Sequence, residues 1–183
     1  CANFGGIGSD PKLVGKGDTE NDAHQILNIA YDFGINYFDT AATYGNGNSE
    51  EIIGSWLNKN KISRDSIVLS SKVSKKNSRF SLNKKGLSYS HILKQIKGTL
   101  KRLNTDYLDL FYIHAPDPAT PIIEILNALN DCVMKGLTRS IGISNVSLDY
   151  LKESIEISRK NSFAEYSVSR IHIIIYSVMM RMI

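Results

Sequence analysis

A chain of 183 residues with 42% hydrophobic and 22% charged residues has the balance of a globular protein and the length for one domain rather than two. No apolar run approaches the ~20 residues that cross a bilayer, and no signal-peptide pattern opens the chain, so neither a membrane nor a secretory role is expected. The net charge of +4 hides an asymmetry: 10 of the 22 Lys and Arg residues lie between Lys72 and Arg102, a span without Asp or Glu. Such a run can attract phosphates, but with little aromatic interleaving and no nucleic-acid motif it reads as a solvated loop and helix face, and no nucleic-acid partner is expected. Two cysteines, Cys1 and Cys132, are too few for a disulfide scaffold and fit a reducing compartment, with the cytoplasm as the expected location. The chain begins at Cys1, directly in an apolar, Gly-rich stretch, and is expected to be partial.

Hydrophobic period predicts helices and strands in alternation. The first helix is expected from Glu20 to Phe33: Thr19 and Asp22 have capping-box spacing, Ala23, Ile26, Leu27 and Ala30 form one stripe, and Gly34 ends it. A short strand follows over 35–39. Ser49 is the expected cap of a second helix that turns Ile53, Trp56 and Leu57 inward, and the next strand covers 67–72. A third helix, 89–103, carries Leu93, Ile96, Leu100 and Leu103, and leads into a strand over 108–114. The fourth opens with Thr120 as cap and Pro121 in its first turn, presents Ile125, Leu126 and Leu129, and stops at Gly136. A strand over 140–144 and a fifth helix, capped by Ser147 with Leu148, Leu151 and Ile155 inward, complete the pattern. Strand starts at 35, 67, 108 and 140 are 32 to 41 residues apart, the spacing of successive βα units with right-handed crossovers.

Apolar strands between amphipathic helices mean an α/β fold with a parallel sheet, either doubly wound or a (β/α)8 TIM barrel. Asn3 to Gly8 is Gly-rich but precedes a long loop instead of a helix, so it is not a dinucleotide fingerprint, and there is no Walker A sequence. Cys132 has no His or Cys at ligand spacing, and no metal site is expected.

The polar residues at strand ends carry more chemistry. Asp39, Lys72, His114 and Ser144 each fall at or just beyond the C-terminal end of a predicted strand, where a parallel barrel builds its active site. Tyr44 follows Asp39 on a Gly-flanked loop. Taken singly, each has an ordinary structural role: Asp39 as a turn former, Lys72 as a solvated cation, His114 as a hydrogen-bonded strand cap, Tyr44 as loop packing. Their conjunction is what points to chemistry. A tyrosine is a weak acid with a reference pKa of ~10. A nearby ammonium favours its phenolate, and an aspartate keeps the ammonium charged and oriented. With a histidine to bond the substrate oxygen, this set protonates a developing alkoxide, which is what hydride reduction of a carbonyl requires. Ser144 and Asn145 can bond an amide such as the carboxamide of a nicotinamide.

At these residues the sequence resembles the aldo-keto reductases. Gly34-Ile35-Asn36-Tyr37-Phe38-Asp39-Thr40-Ala41 with Tyr44-Gly45 and Ser49-Glu50 is similar to the family's first signature, and Ser71-Lys72-Val73 to its lysine segment. Leu103 to Leu110 leading to His114 resembles the second signature, and Ile141-Gly142-Ile143-Ser144-Asn145 the segment near the cofactor. The match runs in order from about Phe4 to Lys160. The resemblance implies a (β/α)8 barrel and NADPH as hydride donor, with an aldehyde, ketone or sugar-type carbonyl as the small-molecule substrate. It also implies a catalytic set of Asp39, Tyr44, Lys72 and His114, with Asp39, Ser144 and Asn145 toward the cofactor. Potassium-channel β subunits share this fold, and a non-catalytic regulatory subunit of that kind is the alternative.

The resemblance ends near Ser169. Residues 1–169 are expected to be a barrel portion of five to six βα units, leaving two sheet edges open. Residues 170–183 form an apolar tail without the βα pattern. If Arg181 is encoded by AGA, a shifted reading frame from Met179 yields Asp-Glu-Asn-Asp, so the tail is expected to arise from a frameshift or an unspliced intron.

Overall fold

The computed structural model describes residues 1–75 and 86–170. Helices α1 (Glu20–Asp32), α2 (Asn48–Lys59), α3 (Tyr89–Leu103), α4 (Ile122–Met134) and α5 (Leu148–Asn161) alternate with strands β1 (Tyr37–Asp39), β2 (Val68–Val73), β3 (Leu108–Ile113), β4 (Thr138–Ser144) and β5 (Tyr166–Arg170). All five strands are parallel and stand in chain order, β1 to β5. A doubly wound sheet reverses its order at a switch point, and this one does not.

The register explains the choice further. Phe38, Leu69, Phe111, Ile113, Ile141 and Ile143 share one face of the sheet and join the core with Trp56, Ile96, Ile125 and Leu129 from the helices. The opposite face carries Asp39, Ser70, Lys72, Leu110, Tyr112, Ser140 and Gly142. On it Tyr37 is 44% and Val68 40% exposed. A parallel sheet in sequential order, with its helices packed on the apolar face, is an arc of a (β/α) barrel whose polar inner face is turned toward the axis.

Local chemistry sets the element ends. Thr19 Oγ1 accepts from Asp22 N at 3.2 Å and donates to the Asp22 carboxylate at 2.6 Å, closing the first turn of α1. Gly34, at φ +83°, takes the left-handed conformation after α1 and donates its N–H to Tyr31 O. Ser147 caps α5 by accepting from Tyr150 N.

Five expectations are corrected. Ser49 does not cap α2: the helix begins one residue earlier, and the Ser49 hydroxyl bonds Thr40 Oγ1 at 2.8 Å and Cys1 O at 2.7 Å. Thr120 does not cap α4, because its hydroxyl donates to Asp117 at 2.7 Å. Leu148 is 59% exposed, and α5 buries the small residues Ser154 and Ser158 instead, which lets it sit close. Ile26 is exposed because α1 turns Ala23, His24 and Leu27 inward, with His24 Nε2 3.2 Å from Ile52 O. Ile26, Ile35 and Tyr37 line one exposed hollow beside β1, the end strand of the sheet. Finally, β5 was absent from the sequence expectation; it pairs with β4 through a bulge at Ile141/Gly142. The 170–183 tail lies, apart from the backbone of Arg170, outside the described residues.

Behind β2 lies a buried ion pair. Glu50 Oε2 accepts from Arg102 Nε at 2.6 Å and Glu50 Oε1 from Ser71 Oγ at 2.5 Å, joining α2, α3 and β2, with the Glu50 side chain 0% exposed. Removing one partner strands a charge in the interior. Arg102→Met is therefore expected to cost ~3–5 kcal/mol in urea unfolding, and Glu50→Gln combined with Arg102→Met to cost less than the single change.

Candidate active site

The expected residues meet at the C-terminal end of the sheet. Asp39 ends β1 and Lys72 is the penultimate residue of β2, so the two strands place their side chains on the same inner face. Lys72 Nζ donates to Asp39 Oδ2 at 2.7 Å and to Thr40 O at 2.7 Å. Ser70 Oγ donates to Asp39 Oδ1 at 2.7 Å, occupying the second carboxylate oxygen. Lys72 is 1% exposed, so its ammonium has exchanged water for these partners.

Tyr44 reaches the same point from a tight turn. The chain leaves β1 still paired to β2, through Thr40 N to Ser70 O and Ala42 N to Lys72 O. It then folds into a 3-10 turn over Tyr44–Gly47. Gly45, at φ +54°, lets the N-terminal segment approach: its N–H donates to Gly8 O, and a Cβ there would stand 2.7 Å from Phe4 O. This turn puts the Tyr44 ring 4.9 Å from Lys72 Nζ, and edge-on to the His114 ring at 5.7 Å between centroids. His114 lies just past β3, with its N–H bonded to Val73 O and its ring Nδ1 3.5 Å from Thr43 Oγ1. Ser144 ends β4 and is buried; Asn145, at φ +55°, donates its amide to His114 O at 2.8 Å.

A cleft of about 460 Å³ opens beside His114, lined among others by Ser9, Thr43, Asn46, Ser74 and Asn145. All six expected residues thus gather at one end of the sheet. Three other groups stand among them: Ser70, the carbonyl of Thr40, and Tyr112, whose ring centroid lies 5.9 Å from Lys72 Nζ. Ser70 and Tyr112 were within reach, since the period of two places Ser70 on the face of Lys72 and Tyr112 on that of His114.

In the segment between β3 and α4, Asp117 is 4% exposed. Its carboxylate accepts from Leu87 N at 2.9 Å, Thr120 Oγ1 at 2.7 Å and Ala119 N at 3.3 Å. Burial raises the Asp117 pKa, but the hydrogen bonds from Thr120, Leu87 and Ala119 outweigh it and hold the group below the usual 3.8. Burial pushes the Cys132 thiol up to about 12, so it stays protonated near neutral pH and is no nucleophile. Among the described residues no three His, Cys, Asp or Glu side chains are grouped to hold a metal, and no helix is long and apolar enough to cross a membrane.

Comparison with known proteins accords with this architecture. The model of the aldo/keto reductase family matches residues 7–179, and the chain belongs to that family. It is 37% identical over 148 residues to an aldo-keto reductase of Fusarium vanettenii, covering 69% of this chain and 40% of that protein. It is 39% identical over 133 residues to a probable voltage-gated potassium channel subunit beta of Arabidopsis thaliana, covering 73% and 40% respectively. Among solved structures it superposes on the thermostable aldo-keto reductase Tm1743, crystallised with the inhibitor epalrestat. There the TM-score is 0.75 and the identity 30%, over 92% of this chain and 55% of that one. A putative 2,5-diketo-D-gluconic acid reductase B gives a TM-score of 0.70 at 28% identity, over 83% and 48%. The chain thus spans about two fifths of the curated relatives it matches. The family match also runs past both Lys160 and Ser169.

The sign of the Asp117 effect gives a test. A carboxylate whose folded pKa is depressed adds stability above its unfolded value, here 3.8, and loses it as the pH falls through the folded value. Asp117→Asn is expected to lower stability by ~1–3 kcal/mol near neutral pH. Its urea midpoint should converge with that of the parent as the pH falls below about 4.

Proposed function

We propose that this chain carries the carbonyl-binding and proton-transfer part of an NADPH-dependent reductase of aldehydes, ketones or sugar-type carbonyls, with Tyr44 as proton donor. The observation that supports this most is the buried Lys72 ammonium, 2.7 Å from Asp39 and 4.9 Å from the Tyr44 ring, with His114 against the far side of the site.

The bound nicotinamide would supply the hydride. The residues of this chain do the rest. As negative charge develops on the carbonyl oxygen, Tyr44 Oη gives it a proton, and the Lys72 ammonium stabilises the phenolate that remains. Asp39 holds that ammonium charged and aimed. His114 bonds the substrate oxygen and orients the carbonyl toward Tyr44. At the cofactor side the donor set fits a carboxamide. Asn145 spends its NH2 on His114 O, so its side-chain carbonyl is the atom suited to a carboxamide NH2, while the Ser144 hydroxyl complements the carboxamide oxygen. Asp39 borders the same site. A cytoplasmic, small-molecule enzyme is the setting that accords with this reading.

The curated relatives are longer than this chain, so the test uses two proteins. The 183 residues alone are expected to bind NADPH weakly and to oxidise it negligibly with 4-nitrobenzaldehyde. Joined to the C-terminal part of the Fusarium relative, the chain is expected to reduce the aldehyde, and Tyr44→Phe to lower kcat by ~10³-fold. A joined protein without NADPH oxidation, or a Tyr44→Phe variant as fast as its parent, overturns the proposal.

The likeness to channel β subunits supports a second reading, a barrel subunit that binds a membrane channel without turning over. The presence of Asp39, Tyr44, Lys72 and His114 together favours the reductase, since binding a channel requires none of that set. Recovery of a stable membrane partner by pull-down, with no turnover in the joined protein, would favour the subunit.

A further inference from the structure

We infer that Tyr112, with Gly142 beneath it, is a positioning residue for Lys72: the phenol ring is the floor that keeps the ammonium between Asp39 and Tyr44. The geometry stands by itself, while the consequence for turnover rests on the reductase reading.

Lys72, Tyr112 and Gly142 are direct register partners on three neighbouring strands, so they form one row across the inner face of the sheet. Lys72 Nζ lies 5.9 Å from the Tyr112 ring centroid and 4.9 Å from that of Tyr44. Both are within the ~6 Å at which the negative face of an aromatic ring attracts an ammonium, an attraction that grows where water is excluded. The hydrogen bonds to Asp39 and Thr40 O come from the β1 side of Lys72, whereas the two rings come from β3 and from the turn after β1. A lysine has four flexible carbon–carbon bonds, and restraint from both sides fixes where its charge sits.

Gly142 is what admits the ring. A Cβ at that position would stand 2.6 Å from Tyr112 Cδ1 and Cε1, so any other residue lifts the phenol away from the sheet. Tyr112 is 2% exposed, and its hydroxyl lies 3.4 Å from Tyr37 Oη, a second tether toward the edge strand. Leucine at 112 would keep most of the volume and lose the π face. Phenylalanine would keep the face and lose the tether.

The test begins with stability, which needs no turnover. In urea unfolding of the 183-residue chain, Lys72→Met and Tyr112→Leu are expected to be coupled by ~2–5-fold in the unfolding equilibrium constant. Tyr112→Phe should preserve that coupling with Lys72→Met, and Gly142→Ala should diminish it. In the joined protein, Tyr112→Leu is expected to lower kcat ~10-fold with the KM for the aldehyde nearly unchanged, and Tyr112→Phe to restore kcat. Additive single changes overturn the inference, as does a Tyr112→Leu variant that turns over like its parent. Should the joined protein reduce no carbonyl, the reductase reading fails and the unfolding cycle alone decides the role of Tyr112.

Discussion

Taking the Lys72 ammonium out of water is the constraint around which this end of the molecule is built. A buried cation carries a desolvation penalty of several kcal/mol that only close, well-directed partners offset. Here those partners come from separate pieces of chain: Asp39 and Thr40 from the end of β1, the Tyr44 ring from the turn beyond it, and Tyr112 from β3. Each partner is in turn held. Ser70 occupies the other oxygen of Asp39, and Ser49 bonds Thr40. The N-terminal segment passes against Gly45 and donates from Cys1 N to Asp39 O. A charge that is costly to bury thereby organises six stretches of sequence into one site.

The sheet makes this convergence possible by dividing its two faces sharply. The apolar face takes the helices and supplies the stability; the other keeps Asp39, Ser70, Lys72 and Tyr112 away from them. In a parallel arrangement all C-terminal strand ends lie on one side, so a residue at the end of each successive strand adds a group to the same place. Sequential strand order brings Asp39, Lys72, His114 and Ser144 there in chain order, which is why their spacing along the sequence matches the βα repeat. At the opposite end, Arg64 and Arg139 lie over the Tyr107 ring, at 4.0 and 4.3 Å, and both bond Asp109. That cluster ties strands together far from the polar mouth and has a structural part.

Much of this was legible without coordinates. The third helix was expected over 89–103, where α3 lies, and the four strands were placed within two residues of their observed ends, because continuous apolar runs and helical stripes differ in period. Asp39, Lys72, His114 and Ser144 could be picked out because polar side chains break an apolar run at strand ends, and the structure gathers them with Tyr44 and Asn145. What failed did so for identifiable reasons. Ser49 and Thr120 look like helix caps locally, but their hydroxyls are claimed by Thr40, Cys1 and Asp117, residues distant in space until the chain folds. Ile26 belongs to a helical stripe by spacing, yet the rotation of α1 follows His24 and Leu27 against α2. β5 was hidden because Tyr166-Ser167-Val168-Ser169 alternates polar and apolar residues without the apolar run of its neighbours.

The sequence by itself determined the class of fold, the order of its elements and the identity of the polar groups at the strand ends, because period and composition are properties of short stretches. It also carried the family resemblance, since the signatures are contiguous. Period alone left two parallel architectures open and the resemblance pointed to the barrel; the tertiary structure bears that out through strand order and the one-sided placement of helices, which are relations between distant segments. It alone decided that Lys72 is buried, that Ser70 and Thr40 complete its surroundings, and that Gly142 makes room for Tyr112. Those facts depend on register and close approach across strands, and the balance between a charge's desolvation and its partners exists only once those strands lie side by side.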